Sequence, residues 1–337
     1  MNTPPPISTH RADDPAFNYY GRWQRGATAT SINSGAFVEF AYRGQGCTLR
    51  FDVGGFTHFP AIFVQVDQGP IEKATLARAA STVAVNAVSR GRHRVCWWVG
   101  AHSLYLTEAK GQQWTSLVGG CRFEGVDLEE GAAMDALPYA TRQIEFLGDS
   151  ITQGLRLLYA GADDDTGQQT PYANWPQYVA DLLGMKAVVV GFGGQGVTTP
   201  GTCGAPPAEA AFPYVYAGVP WVPPTQPEIV VIYQGTNDPV AASVFEDGCG
   251  RYVRAVRAGR PEARIFAVCP HNQGRYAGAI AGSVAVLNDA RMHFLDYSNG
   301  VIAKEDTSDG CHLNPGGAVR LGIRMAADIQ KIAGTRS

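Results

Sequence analysis

A chain of 337 residues with 27 Lys and Arg against 30 Asp and Glu has a net charge of −3 and no basic run, so it lacks the electrostatic footprint of a nucleic-acid binder. Hydrophobic residues at 45% and charged residues at 17% suit a folded globular chain with a sizeable core, and no apolar run approaches the ~18 residues that span a bilayer. The length fits two domains, at ~100–200 residues each.

The opening, Met1 to His10, has neither the basic n-region nor the apolar h-region of a secretory signal. A cytoplasmic protein is expected from the sequence as given, and a secreted one if a leader was removed. The cysteines are Cys47, Cys96, Cys121, Cys203, Cys249, Cys269 and Cys311. An odd count leaves at least one thiol free, and no CxxC spacing occurs. Reduced, buried cysteines are expected, with Cys203–Cys249 the one bridge to consider.

From about residue 36 to 124 the sequence alternates with period two between Gly-rich turns. Strands are predicted at Phe37–Tyr42, Thr48–Val53, Ile62–Asp67, Thr82–Val88, His93–Val99, Ser103–Thr107 and Cys121–Val126, with Arg43–Gly46 turning between the first two. Short, closely spaced strands predict a β-sandwich of jelly-roll type over residues 15–135. Trp97, Trp98 and Trp114 fall in this region and are read as its core.

After Pro138 the rhythm changes. Apolar runs at Ile144–Leu147, Ala187–Val190, Ile229–Tyr233, Ile265–Val268 and Phe294–Leu295 read as buried parallel strands. Helical stretches lie between or after them at Trp175–Leu183, Val244–Ala258, Ala277–Met292 and Gly317–Ile332. This alternation predicts an α/β layer domain over residues 141–337.

Four short segments carry chemistry. In Ile144-Glu-Phe-Leu-Gly-Asp-Ser150-Ile-Thr-Gln-Gly154, a serine follows the carboxyl end of the first predicted parallel strand, where open α/β sheets build their sites. An isolated Gly-Asp-Ser is more often a helix cap. Gly191-Phe-Gly-Gly-Gln-Gly196-Val-Thr-Thr follows the second strand, and Tyr233-Gln-Gly-Thr-Asn237-Asp-Pro the third. The glycines allow close backbone approach to a ligand, and the asparagine amide can donate to an oxyanion. In Asp309-Gly-Cys-His312-Leu-Asn-Pro-Gly-Gly317, Asn314 reads as an N-cap and Pro315 as the first helical residue, leaving His312 on the entering loop. A serine nucleophile needs a base, and the base needs an acceptor that fixes its tautomer. Each segment alone is weak; four in this order are not.

Together they resemble the four blocks of the SGNH, or GDSL, hydrolase superfamily. The resemblance implies a flavodoxin-like three-layer domain with Ser150 as nucleophile and Asp309 and His312 completing a triad. It also implies an oxyanion hole of the Ser150 and Gly196 N–H groups with the Asn237 amide, and no metal or cofactor. The N-terminal half, with Tyr20-Gly-Arg-Trp23 and the Phe123–Leu128 segment, resembles carbohydrate esterase family 2. That family deacetylates plant polysaccharides such as xylan and glucomannan and is mostly secreted. With no leader in view, small acetylated xylo- or manno-oligosaccharides are the expected substrates. A thioesterase, lysophospholipase or lipase of the same superfamily is the alternative, followed by a carbohydrate-binding protein without catalysis.

The Pro-rich stretch 202–226 holds Tyr214, Tyr216 and Trp221, read either as a platform for a sugar ring or as structural cover. Asp163-Asp164-Asp165 is read as a solvated loop rather than a cation site.

Overall fold

Period-two alternation builds the first half. The computed structural model describes residues 8–55, 59–100, 111–117, 120–158 and 169–334; the predicted strand Ser103–Thr107 and the Asp163–Asp165 run lie outside them. Strands β1 (Phe37–Phe51), β2 (Ala61–Val66), β3 (Thr82–Val99) and β4 (Cys121–Leu128) dominate an antiparallel sheet. β1 pairs with β3 from Phe37↔Trp98 to Arg50↔Thr82. Its second half pairs with β4 on the other edge, while its first half takes the short strands Asn18–Tyr20 and Ala133–Asp135.

Two predicted turns are therefore absent. Arg43–Gly46 does not end a strand, and Thr82–Val88 runs without a break into His93–Val99. Gly44 stands opposite Gly91 and the register shifts between Gly44 and Gly46, so the ribbon bends at a glycine-lined bulge. A Cβ on Gly44 would come 2.7 Å from the Ala132 Cβ.

Alternation sends neighbouring side chains to opposite faces. Val38, Phe40, Tyr42 and Trp97 enter the sandwich core with Phe51 and Phe123. Phe37, Cys96 and Trp98 form a second cluster with Tyr20 and Phe63, against which Tyr139 and Tyr172 pack. Trp97 is thus sandwich core, whereas Trp98 faces the α/β half, its ring 6.0 Å from that of Tyr172. Trp114 also departs from expectation: it sits in a one-turn helix, Gln113–Ser116, with its ring edge-on to Phe192 of the α/β core.

The second half holds five parallel strands, β5 (Gln143–Gly148), β6 (Lys186–Gly191), β7 (Ile229–Tyr233), β8 (Arg264–Cys269) and β9 (Met292–Asp296), in the order β6-β5-β7-β8-β9. Numbered from β5 this is 2-1-3-4-5, the flavodoxin-like order. Helices α1 (Ser150–Gln153), α2 (Trp175–Leu182), α3 (Ala242–Gly259), α4 (Ala277–Ala285) and α5 (Pro315–Ala333) follow in chain order. α2 and α5 bury one sheet face through Val179, Leu321, Met325 and Ile329; α3 and α4 bury the other through Phe245, Val253, Val256 and Ile280. α4 stops well short of the predicted Met292. Asn288 adopts φ +45° and the Asp289 carboxylate accepts the Arg291 N–H at 2.8 Å, a turn chemistry that ends the helix and starts β9.

Two carboxylates tie the halves together. Glu145 of β5, fully buried, accepts Arg22 at 3.3 Å and Arg260 at 2.7 Å. Glu39 of β1 accepts Lys186 of β6 at 2.6 Å and also pairs with Arg94. All seven cysteines are thiols, including Cys203 and Cys249. Among the described residues no helix is long and apolar enough to cross a membrane.

Candidate active site

The Ser150 turn forms because Gly148-Asp149-Ser150 leaves β5 and turns at once into α1. Asp149 caps that helix, its Oδ1 accepting the Ile151 N–H at 2.9 Å, and Gly154 closes it at φ +84°. The turn is tightly packed: a Cβ on Gly191 would lie 2.6 Å from the Gln153 nitrogen. From α2, Asn174 Nδ2 donates to the Thr152 carbonyl at 2.8 Å and Trp175 Nε1 to the Ile151 carbonyl at 3.2 Å. These two bonds satisfy carbonyls that a one-turn helix cannot satisfy itself.

The opposing loop enters α5 as expected, with Asn314 as N-cap accepting the Gly317 N–H at 2.9 Å and Pro315 in the first turn. His312 Nε2 stands 3.0 Å from Ser150 Oγ, and His312 Nδ1 stands 2.8 Å from Asp309 Oδ2. Asp309 Oδ1 accepts the backbone N–H of Cys311 at 3.0 Å and of His312 at 2.8 Å. Arg156 Nη1 reaches the same Oδ2 as the imidazole, at 2.7 Å. Burial alone would raise the Asp309 pKa; the His312 N–H, the guanidinium and the imidazole outweigh it and hold the carboxyl below the usual range. An ionised carboxylate can only accept, so Nδ1 carries the proton and the Nε2 lone pair faces the serine hydroxyl.

Asn237 Nδ2 lies between the Gln195 carbonyl at 3.0 Å and Asp149 Oδ2 at 3.5 Å. Asp149 is fully buried, and burial pushes its carboxyl up to about 7, with nearby Asp238 adding to the shift. Gly196 departs from the expected role. Its N–H donates to the Thr199 carbonyl at 2.9 Å, so in this conformation it is not free for an oxyanion. Glycine is required there for another reason: a Cβ would lie 2.5 Å from the Asp238 carboxylate. That carboxylate accepts the N–H of Val197 at 2.9 Å and the N–H and hydroxyl of Thr198, each at 2.6 Å.

A family model described as the GDSL-like lipase/acylhydrolase family matches residues 146–318, from within β5 to the first turn of α5. The chain belongs to that family. Among curated proteins, this GDSL-family chain is 29% identical to the cellulase/esterase CelE of Acetivibrio thermocellus over 248 residues, 69% of this chain, and it spans 28% of that relative's length. A family two carbohydrate esterase from Clostridium thermocellum, solved in complex with cellohexaose, matches with a TM-score of 0.78 at 20% identity, covering 95% of this chain and 100% of that one. An acetyl xylan esterase from the rumen bacterium Butyrivibrio proteoclasticus matches with a TM-score of 0.78 at 14% identity, over 98% and 100%. At these identities the likeness shows the shared fold, over both halves of the GDSL-family chain.

The aromatic stretch is placed away from the Ser150 and Asp309–His312 loops. Both the Arg22 and Arg260 guanidiniums lie over the Trp221 ring, at 4.7 and 4.8 Å. Arg260 leads into β8, so Trp221 packs toward the end where the strands begin, whereas Ser150 and Asn237 stand where they finish. Tyr216 is buried with its hydroxyl donated to Gln24, and Tyr214 offers its carbonyl to Arg22 at 2.8 Å. Structural cover is the role these three contacts describe, and the sugar-platform expectation is corrected accordingly.

Sequence reasoning missed Arg156, Asn174 and Asp238. Asn174, just before Trp-Pro, carries a helix-start signal, and Asp238 adjoins a named asparagine. Nothing in the sequence marks Arg156.

Proposed function

We propose that this GDSL-family chain is a serine esterase that removes acetyl groups from small acetylated carbohydrates such as xylo- or manno-oligosaccharides. The observation that carries the reading is the unbroken line from Ser150 Oγ through His312 to the Asp309 carboxylate, with contacts of 3.0 and 2.8 Å. Ser150 Oγ attacks the ester carbonyl while His312 Nε2 takes its proton. The tetrahedral intermediate collapses as His312 returns that proton to the departing sugar hydroxyl. A water, deprotonated by the same nitrogen, then releases acetate from the acyl-serine.

The oxyanion donor this geometry leaves open is the Ser150 N–H, which has no intrahelical acceptor at the start of α1; the Asn237 amide would join it by turning an N–H away from the Gln195 carbonyl or from Asp149. Gly196 would add its N–H only by releasing Thr199. Each such donor is typically worth ~2.7–4 kcal/mol in the transition state. The carbohydrate assignment is supported by the likeness to family two esterases over nearly the whole chain.

Two measurements test this reading. Ser150→Ala should abolish aryl acetate hydrolysis while leaving the fold intact, and a fluorophosphonate should label Ser150. The wild type should lose rate steeply from acetyl to butyryl to octanoyl esters, each methylene counting ~1–3 kcal/mol in a snug pocket. It should also deacetylate xylo- or manno-oligosaccharides. Faster octanoate than acetate turnover would replace the carbohydrate reading with a lipase, lysophospholipase or thioesterase.

A further inference from the structure

Arg156 sits two residues beyond the cap of the nucleophile helix with φ +55°, a left-handed conformation that costs an L side chain energy. Its guanidinium crosses to the other catalytic loop and meets Asp309 Oδ2 at 2.7 Å, beside the 2.8 Å contact of His312 Nδ1 on the same atom. With the N–H groups of Cys311 and His312 on Oδ1, the carboxylate accepts four donors. The Arg156 side chain is about a third exposed, so its charge is partly screened but not removed.

We propose that Arg156 is a positioning residue that ties the Ser150 turn to the Asp309–His312 loop and shares Asp309 Oδ2 with the imidazole. This rests on the esterase reading of that triad. One consequence follows from the shared oxygen. The carboxylate is fixed by a fork-shaped partner from outside its own loop, which holds the imidazole in line with Ser150 Oγ.

Among the described residues, the other ionisable groups facing this pair are His271, Cys311 and Asp149. His271 Nε2 accompanies the Cys311 carbonyl at 3.0 Å, and burial lowers its pKa. Burial raises the Cys311 thiol to about 11 and the Asp149 carboxyl to about 7. All three remain in any Arg156 variant, so a difference between variants isolates the guanidinium.

The test is the split between kcat and KM on an aryl acetate. Arg156→Gly relaxes the backbone and removes the guanidinium; Arg156→Gln removes the charge alone; Arg156→Lys retains a cationic donor. The Gly and Gln variants should lose kcat on the order of tenfold with KM little altered, because the imidazole is held less well in line with Ser150. The Lys variant should recover most of that loss. In an Asp309→Ala background, Arg156→Gln should lower kcat no further, because the shared carboxylate is gone. A loss confined to KM, or an unchanged kcat in both the Gly and Gln variants, would overturn the proposal. If Ser150→Ala and His312→Ala keep turnover, the esterase reading itself fails, a result distinct from either of these.

Discussion

Among the carboxylates that face a pair of basic side chains, Glu145, between Arg22 and Arg260, and Asp309, between Arg156 and His312, make the sharpest contrast. Glu145 is fully buried and both its partners are guanidiniums, which do not give up a proton in a protein. Asp309 is only partly covered and one of its partners is an imidazole, whose ordinary pKa lies near neutrality. Each carboxylate has two partners, and the chemistry of one of them separates a lock from the proton transfer proposed at Ser150. Asp149 supplies the limiting case. Its N–H donors, Ile151 and Asn237, are neutral, so burial prevails and its carboxyl rises to about 7.

The contrast is sharpest at the imidazole. His312→Ala should lower kcat on an aryl acetate by ~10⁴-fold or more, since it removes the base, with thermal stability close to wild type. Asp309→Ala should be no more damaging, because it loses the orienting acceptor but keeps the base. An Asp309 variant far worse than the His312 variant would reverse the roles assigned to them.

At the lock the expected effect falls on stability. Arg22→Ala leaves Glu145 buried with one partner and should cost about 3–5 kcal/mol in urea unfolding, while kcat per folded molecule stays near wild type. Unchanged stability would remove the distinction between the two carboxylates. Asn237→Ala takes away the amide proposed as an oxyanion donor and should lower kcat by ~10²–10³-fold with KM little altered. A change confined to KM would make Asn237 a substrate contact.

The smallest effect belongs to Asp149. An unfolded Asp titrates near ~3.9, so a folded carboxyl at about 7 binds its proton more tightly. The stability this gives is present below about pH 4 and is lost as pH rises through about 7. Asp149→Asn keeps the capping oxygen and should flatten that part of the stability profile. An identical slope in both proteins between pH 4 and 7 would mean that Asp149 titrates normally.

The sequence makes the candidate-site loops legible because their chemistry is local. Ser150 follows a strand, and Asp309 and His312 lie three residues apart on one loop, so residue type and spacing suffice. What it hides is long-range: Arg156 meets a carboxylate 153 residues away, and Glu145 reads simply as a polar break in a buried strand. Glycines mislead in a different way. Gly44, Gly46 and Gly91 look like turn residues, yet facing glycines across a ladder bend a ribbon without ending it. The aromatic stretch was ambiguous for want of a partner, since Tyr216 and Trp221 find Gln24 and Arg22 in the other half.

The outward face of β1 and β3 has one more consequence. Phe37, Phe63 and Trp98 pack there against Tyr139 and Tyr172, and Arg22 crosses the same boundary to Glu145. Expressing residues 141–337 alone would remove that aromatic wall, uncover Tyr172 and the surface it packs with, and leave Glu145 without one of its two counter-charges. The two halves should accordingly melt as one calorimetric unit, and the catalytic half produced by itself should aggregate rather than refold as a smaller esterase.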